Sequence, residues 1–320
     1  MLDIFITHYT EPWEICRKLF WSLDLQRRVN WDEIRVTVIN DGGHRLPEEE
    51  LARLSFRVQQ LDIPHCGISA ARNAGIMHAQ EPWIMFCDCD DSFYNIYALE
   101  DIMGVLAAPG IGDRFDMMWT KVWEETEDSV FLIPAYRTFV FCHGKLYNRL
   151  FLLRNGMQFE ETLDMNEDSC FNAVIIARTT NKRIGEIKSS APVYSWIRRA
   201  GSVTALPEAH EKGMLCTLRR NLIVTEENRL HRPDQYANMV ARTAYDAFYM
   251  MHSTVSASCK QQIMELFAPW ISERLEEIGK VTPEMLEGIR NISRSELMEE
   301  EVRDSHEEIQ AWIREAAQTA

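Results

Sequence analysis

The chain has 320 residues, 46% of them hydrophobic, which is enough to bury a large core and to build a catalytic domain with a smaller appendage. A formal net charge of −15 argues against nonspecific binding of nucleic acid or anionic lipid. Eight cysteines without a disulfide-like spacing fit a reducing compartment. No stretch approaches the ~20 apolar residues that span a bilayer, and no leader pattern precedes the first strand, so we expect a cytoplasmic protein.

The first part of the chain alternates strand and helix patterns. The apolar segment 2–7 predicts a strand that ends close to Tyr9, and the segment 35–40 predicts a second strand that ends at Asp41. Small residues follow and predict a helix from about Gly67, with Ser69 as its N-cap. This alternation predicts an α/β fold with a mostly parallel, Rossmann-like sheet flanked by helices.

The most informative stretch is an apolar strand, 83–87, that runs into three carboxylates within four residues, Asp88, Asp90 and Asp91. Like charges this close are unfavourable unless a cation is present, and a divalent metal that holds a phosphorylated ligand is the usual solution. An Asp-rich turn also serves as a solvated loop or a helix cap. Because ligands of parallel sheets bind at the carboxyl ends of the strands, we expect Tyr9, Asp41 and Asp88 to converge on one crevice.

Two cysteines, Cys87 and Cys89, flank Asp88 and raise the question of a zinc site. One Cys-x-Cys pair supplies at most half of a tetrahedral site, and the chain has no second Cys-x-Cys or Cys-x-x-Cys. We therefore interpret both as buried thiols.

The motifs resemble those of family 2 of the glycosyltransferases, which have the GT-A fold. The similarity covers roughly residues 1–204, and the sequence departs from the family at His8, often a small polar residue, and at Gly43, more commonly Ser. The matching elements, in order, are Ile6-Thr7-His8-Tyr9, Ile39-Asn40-Asp41-Gly42-Gly43, Gly67 to Ile76, Asp88-Cys89-Asp90-Asp91, His143-Gly144-Lys145-Leu146-Tyr147, Asn166-Glu167-Asp168 and a closing segment from Tyr194 to Thr204.

The resemblance implies an enzyme that binds a nucleotide-diphosphate sugar with Mn²⁺ or Mg²⁺. An acceptor hydroxyl displaces the diphosphate in line and inverts the anomeric carbon, which requires a base, a cation at the leaving group and a nucleotide pocket. Family tendency favours a UDP-linked donor, a glycan, lipid-linked or other hydroxyl acceptor, and a role in surface polysaccharide or glycoconjugate synthesis.

The resemblance also assigns roles to individual residues. The nucleotide sugar would be bound by Thr7, Tyr9, Asp41, Arg72, Asp88 and Asp91. The metal would be bound by Asp90 and Asp88. The general base would be Asp168, with Glu167 orienting it or the acceptor, and the acceptor side would be lined by His143, Lys145 and Trp196. Without the resemblance, turn formation, core packing and helix-dipole complementation would explain most of these residues equally well.

The pattern changes after Ile197, where strand signals end. Amphipathic stretches at 213–227, 235–253, 260–279 and 293–317 predict helices. We therefore divide the chain into a GT-A catalytic domain, 1–204, and a helical C-terminal region, 205–320. These helices would suit a homo-oligomer or peripheral attachment to the inner membrane face.

Two other functions were considered. A sugar nucleotidyltransferase usually has a Gly-rich, basic segment after its first strand, whereas this chain has His8-Tyr9-Thr10-Glu11. A catalytically silent glycan-binding or scaffold protein on the same fold would be expected to lose one of the acidic motifs, and all of them are present.

Overall fold

The computed structural model describes residues 1–126, 128–189, 191–199, 209–289 and 305–319. The chain divides into two compact units, Met1–Ser202 and Val203–Ala320. None of the helices among the described residues is long and apolar enough to cross a bilayer.

The first unit combines strands and helices. Its strands are β1 (Leu2–His8), β2 (Ile34–Asp41), β3 (Val58–Ile63), β4 (Trp83–Asp88), β5 (Ser92–Phe93), β6 (Met117–Trp119), β7 (Val122–Glu125), β8 (Val130–Leu132), β9 (Lys145–Asn148), β10 (Ile184–Glu186) and β11 (Tyr194–Ile197). Its α-helices are α1 (Trp13–Asp24), α2 (Glu48–Leu51), α3 (Ile68–His78), α4 (Ala98–Leu106), α5 (Ile111–Arg114), α6 (Arg149–Arg154) and α7 (Glu167–Arg178).

The larger sheet has seven strands in the order β10-β6-β9-β4-β1-β2-β3. Strand β1 pairs in parallel with β2 and β4, and β2 pairs in parallel with β3. Strand β9 runs antiparallel to β4 and β6, while β10 is parallel to β6. The predicted α/β fold with a mostly parallel sheet flanked by helices is confirmed.

The central strands are apolar because helices cover the sheet on each side. All seven residues of β1 are buried, and its apolar side chains point to opposite faces of the sheet, into two apolar clusters. Leu2, Ile4 and Ile6 pack in the cluster that includes α1 and α4, and Phe5 packs in the cluster that includes α3 and α7.

The register of the strands brings three predicted site residues to one edge. Thr7 lies beside Asp88 across β1 and β4, and Asp41 is the last residue of β2. Since the carboxyl ends of neighbouring parallel strands share an edge, Thr7, Asp41 and Asp88 lie at the same edge of the sheet.

The smaller sheet has the order β5-β11-β7-β8. Strand β11 ends at Ile197, where the strand signals end in the sequence, and its Ile197 N–H donates to Asp91 Oδ1 at 2.8 Å. This bond ties the acidic turn to the second sheet. The remainder of the closing segment, 200–204, lies outside the described residues.

Helix α3 begins at Ile68, with Gly67 as its N-cap at φ +91°. The prediction of Ser69 as the N-cap is therefore wrong. Glycine adopts this positive φ without steric cost, so the chain turns into the helix before Ser69. The Ser69 hydroxyl instead donates to the carbonyl of Glu160 at 3.1 Å.

The described part of the second unit consists of helices joined by short turns. Its helices are α8 (Ala209–His231), α9 (Pro233–His252), α10 (Ala257–Ser272), α11 (Leu275–Ile278) and a last helix, His306–Ala317, and residues 283–289 are also helical. The predicted helical C-terminal region is confirmed, although residues 293–304 of its last predicted stretch lie outside the described residues.

Candidate active site

Asp41 lies at the end of β2 and is held by the turn that precedes α3. Its Oδ1 accepts the Cys66 N–H at 2.8 Å, and its Oδ2 accepts the Gly67 N–H at 2.9 Å. Its Oδ2 also lies 2.9 Å from His65 Nδ1. The carboxylate is buried against backbone amides, and both of its oxygens accept hydrogen bonds.

Tyr9 follows β1 and stacks its ring on the imidazole of His65, with the ring centroids 4.2 Å apart and the planes 11° from parallel. The tyrosine is 41% exposed, so it does not belong to the core. Its backbone packs directly on Gly43, where an added Cβ would lie 1.5 Å from the Tyr9 carbonyl oxygen. Tyr9 and Asp41 therefore flank one exposed histidine ring.

Arg72, on α3, forms a buried bridge between the two acidic motifs. Its Nη2 donates to Asp88 Oδ1 at 3.0 Å, and its Nη1 donates to Glu167 Oε1 at 2.6 Å. The guanidinium also lies over the ring of Phe159, 5.3 Å from the centroid. The structure thus places Arg72 between Asp88 and Glu167, and its predicted contact with the nucleotide remains a prediction.

Asp168 is the second residue of α7, whose start follows Asn166 in the left-handed conformation (φ +64°). Its carboxylate is half-buried and accepts its neighbour Ser169 N–H at 2.7 Å. Burial, together with the charge of Glu167, raises the pKa of Asp168 to about 7, against the opposing effect of Arg72. A carboxyl group that titrates near neutral pH is suited to accept a proton from a hydroxyl.

Asp88 is hydrogen-bonded to residues of two other motifs, Thr7 at the end of β1 and Arg72 on α3. Its Oδ1 accepts hydrogen bonds from Thr7 Oγ1 at 3.1 Å and from Arg72. Burial alone would raise its pKa, but Arg72, His143 and Thr7 lower the pKa of Asp88 overall. Asp88 is therefore ionised in the folded protein at neutral pH.

Asp91 and His143 present unpaired atoms to one another. His143 Nδ1 lies 3.6 Å from Asp91 Oδ2 and 3.9 Å from Asp88 Oδ2. Neither Asp91 Oδ2 nor His143 Nδ1 has a hydrogen-bond partner among the described residues. Burial lowers the pKa of His143 to about 4, so the ring is neutral and its nitrogen can act as a ligand.

The side chains of Asp88, Asp91 and His143 offer ligand atoms within 4.8 Å of one another, and they form the candidate cation site of the described residues. Two carboxylates and a neutral imidazole suit Mn²⁺ and accommodate Mg²⁺, and the two unpaired buried atoms are what a bound ion would satisfy. The residues present therefore fit a divalent cation. Cys87 and Cys89 are buried free thiols outside this group, as predicted.

Asp90 lies outside this group. Its Oδ2 accepts a hydrogen bond from Arg199 Nε at 2.6 Å, and Arg199 also approaches Glu11 at 3.6 Å. Burial and the neighbouring Asp88 raise the pKa of Asp90, against the effect of Arg199. The metal-binding role predicted for Asp90 remains a prediction, and it requires Arg199 to release the carboxylate.

The residues predicted for the acceptor side lie around His143. Its ring is stacked near the rings of Tyr194, at 5.6 Å, and Trp196, at 6.0 Å. Lys145 is buried behind it and donates from Nζ to the His143 carbonyl at 3.0 Å. Burial lowers the pKa of Lys145 to about 8. His143 thus lies beside the aromatic side chains and also beside the acidic turn. Its position in the sequence did not indicate the second of these contacts.

No motif of the sequence singles out His65, and Arg199 belongs only to the closing segment of the family resemblance. His65 lies in an ordinary turn, and its stacking on Tyr9 depends on two loops separated by more than fifty residues. Arg199 reaches Asp90 across a still larger separation.

This arrangement, with acidic side chains at the carboxyl edge of a mostly parallel sheet and a carboxyl group at a helix start beside them, is typical of the GT-A fold. Residues 3–139 match the protein-family model of glycosyl transferase family 2. This match falls within the first unit, Met1–Ser202, and is to the family that its motifs resemble. No curated protein sequence matches the chain.

The fold is similar to that of solved glycosyltransferase structures. S. aureus TarS 1-349, in complex with UDP-GlcNAc, superposes with a TM-score of 0.70 at 15% identity, over 99% of this chain and 90% of that one. The same fragment in complex with UDP gives a TM-score of 0.67. The mannosyltransferase PcManGT from Pyrobaculum calidifontis, in complex with GDP-Man and Mn²⁺, gives 0.51 at 12% identity, over 99% of this chain and 86% of that one. At these identities the likeness shows the fold alone.

Proposed function

We propose that this glycosyltransferase transfers a sugar from a UDP-linked donor to an acceptor hydroxyl with inversion and with the help of a divalent cation. The observation that carries the proposal is the Arg72 bridge, which joins Asp88 on the sheet edge to Glu167 at the start of α7. The groups expected to hold the donor and the group expected to activate the acceptor therefore share one site. UDP and UDP-GlcNAc in the TarS structures support the choice of donor.

Asp168 is the proposed general base. A carboxyl group with a pKa of about 7 is about half ionised at neutral pH, so it can accept a proton and is more basic than an ordinary aspartate. Glu167 is held by Arg72 and would orient the neighbouring carboxylate. A single base that deprotonates the acceptor on the side opposite the leaving group leads to one displacement and hence to inversion.

The nucleotide would lie along the edge formed by Thr7, Tyr9 and Asp41, with Tyr9 against the base and Asp41 accepting its N–H. Asp88 and Asp91 would meet the donor at the ribose and diphosphate end. A divalent cation held by Asp88, Asp91 and His143, with Asp90 adding a ligand once Arg199 has moved, would supply positive charge to the departing diphosphate.

The acceptor would approach from the side of His143, Lys145 and Trp196. Trp196 is half-buried, and its ring lies 4.9 Å from that of Phe141. From the family resemblance we further propose a cytoplasmic role in the synthesis of surface polysaccharide or glycoconjugate, with residues 1–204 as the catalytic domain. Oligomer formation or attachment to the inner membrane face would fall to the helices of 205–320.

The test is a panel of UDP-, GDP-, CDP- and ADP-sugars, assayed for thermal stabilisation and for slow hydrolysis with and without Mn²⁺. We expect UDP-sugars to raise the melting temperature and to release UDP in a manner that depends on Mn²⁺. A variant of the proposed base, Asp168→Asn, should keep the stabilisation and lose the hydrolysis. Stabilisation by GDP- or ADP-sugars alone would contradict the proposed donor, and equal turnover with a metal chelator would contradict the cation.

A further inference from the structure

The imidazole of His65 makes two contacts at the proposed nucleotide edge. Its ring is stacked on Tyr9 at 4.2 Å, nearly parallel, and its Nδ1 lies 2.9 Å from Asp41 Oδ2 and 3.0 Å from the Asp41 carbonyl oxygen. Because both partners are acceptors, Nδ1 carries the proton and donates. The imidazole therefore stacks on the ring of Tyr9 and donates a hydrogen bond from its N–H to Asp41.

These are the two contacts that the proposed function assigns to the uracil base, namely a ring against Tyr9 and an N–H directed at Asp41. We propose that His65 is a place-holder for the nucleobase: its imidazole occupies the base position in the free enzyme and swings out when the nucleotide binds. The inference rests on the proposed roles of Tyr9 and Asp41 in nucleotide binding.

The ring is free to move without disturbing the turn that carries it. The His65 side chain is 55% exposed, so the route outwards leads to solvent. The turn itself is fixed by other groups, since the N–H groups of Cys66 and Gly67 bond to Asp41. Gly42, at φ +75°, packs against the backbone and Cβ of His65, where an added Cβ would lie 2.6 Å away. None of these contacts involves the imidazole.

A place-holder lowers the apparent affinity for the nucleotide. Only molecules whose imidazole has left Tyr9 are competent to bind, and the apparent dissociation constant rises by the inverse of their fraction. It also keeps the Asp41 acceptor position and the face of Tyr9 covered when no nucleotide is present. A nucleobase that could not both stack on Tyr9 and donate an N–H to Asp41 would form fewer interactions than the His65 imidazole that it displaces.

Two substitutions separate a place-holder from a wall of the pocket. His65→Ala removes the ring and leaves the backbone contacts of the turn, so it should tighten the binding of UDP by about tenfold if roughly one molecule in ten is competent in the wild type. His65→Phe keeps a ring that can stack on Tyr9 but cannot donate a hydrogen bond to Asp41. Because this ring still has to be displaced by the base, His65→Phe should tighten UDP binding less than His65→Ala does. If His65 were instead a second wall that contacts the base, His65→Ala would weaken UDP binding and His65→Phe would preserve it.

The measurement is calorimetric titration of the full chain with UDP and, separately, with pyrophosphate, which has no base. The matched control is His44→Ala, because His44 is also exposed but contacts the ring of His8 rather than Tyr9. We expect His65→Ala to tighten UDP and to leave pyrophosphate unchanged, and His44→Ala to change neither. In histidine-labelled protein, the ring resonances of His65, assigned with the alanine variant, should shift when UDP is added.

The outcomes distinguish this proposal from the proposed function. If the wild type binds UDP and His65→Ala binds it equally or more weakly, the place-holder is overturned and UDP binding stands. If neither the wild type nor His65→Ala binds UDP, both proposals fall.

Discussion

Replacing Asp168 by Asn should nearly stop catalysis while preserving the fold and the bound donor. The asparagine keeps the size of the side chain and its bond to the Ser169 N–H, but it cannot accept a proton at neutral pH. Loss of a general base costs ~10² to 10⁴-fold in rate, whereas loss of a helix-terminal carboxylate costs about 1 kcal/mol of stability. If Asp168 is the general base, Asp168→Asn should lower the rate strongly; if Asp168 only stabilises the helix start, it should lower the stability slightly and leave the rate almost unchanged.

The raised pKa of Asp168 adds a prediction about pH. The base must be deprotonated, so the wild-type rate should rise with pH and level off above about 7, and this rise should be absent from the asparagine variant. In the folded state the proton is held more tightly than in the unfolded chain, so stability present at low pH is lost as the pH rises through 7. The difference between 3.8 and about 7 corresponds to roughly 4 kcal/mol, which solvent at the half-buried carboxylate reduces to about 2 kcal/mol. The asparagine variant should escape this loss.

The assay is release of UDP from the donor identified by the panel, between pH 5 and 8, together with urea unfolding at both limits. The control is Asp32→Asn, an exposed carboxylate at the opposite, amino end of β2, which should change neither quantity. A rate of the asparagine variant within a few-fold of wild type, or a wild-type profile that is flat across pH 7, would refute the reasoning. Glu167 would then be the next candidate base.

Three further predictions concern the sheet edge. Asp41→Asn should weaken UDP binding about tenfold by calorimetry, because it loses the charge that strengthens the bond to the base N–H, and unchanged affinity would count against this role. Asp90→Ala should abolish the stimulation of donor hydrolysis by Mn²⁺ in a folded protein, and normal stimulation would show that Asp90 contributes no ligand to the cation. Arg72→Lys should lower the free energy of unfolding by about 1.5–3 kcal/mol, because an ammonium group cannot bridge Asp88 and Glu167 in the way the planar guanidinium does, and urea unfolding would detect a change this large.

The sequence predicts well those features that are encoded locally. Continuous apolar runs that end in polar residues mark strands buried on both faces, which is why β1, β2 and β4 and their carboxyl ends were found. The N-cap of α3 lies two residues before the predicted Ser69, because a serine is a common N-cap, whereas the glycine at positive φ that serves here is less distinctive.

Contacts between distant segments were not predictable from local patterns. Arg72 meets Glu167 across ninety-five positions of the chain, and His143 meets Asp91 across the join between two sheets. Such pairs depend on strand order and on the path of the loops, which the spacing of residues along the chain does not encode. The consequence is that the sequence singled out side chains that lie close together in the structure, but it did not show which of them touch.

The close contact at Gly43 constrains which residues this position can hold. The family more often has serine there, yet here a single added carbon would overlap the carbonyl oxygen of Tyr9. Substitution by serine would therefore have to be accompanied by a shift of the loop that carries the stacked ring. The residue at position 43 and the path of that loop are thus constrained together, although they lie in separate segments of the chain.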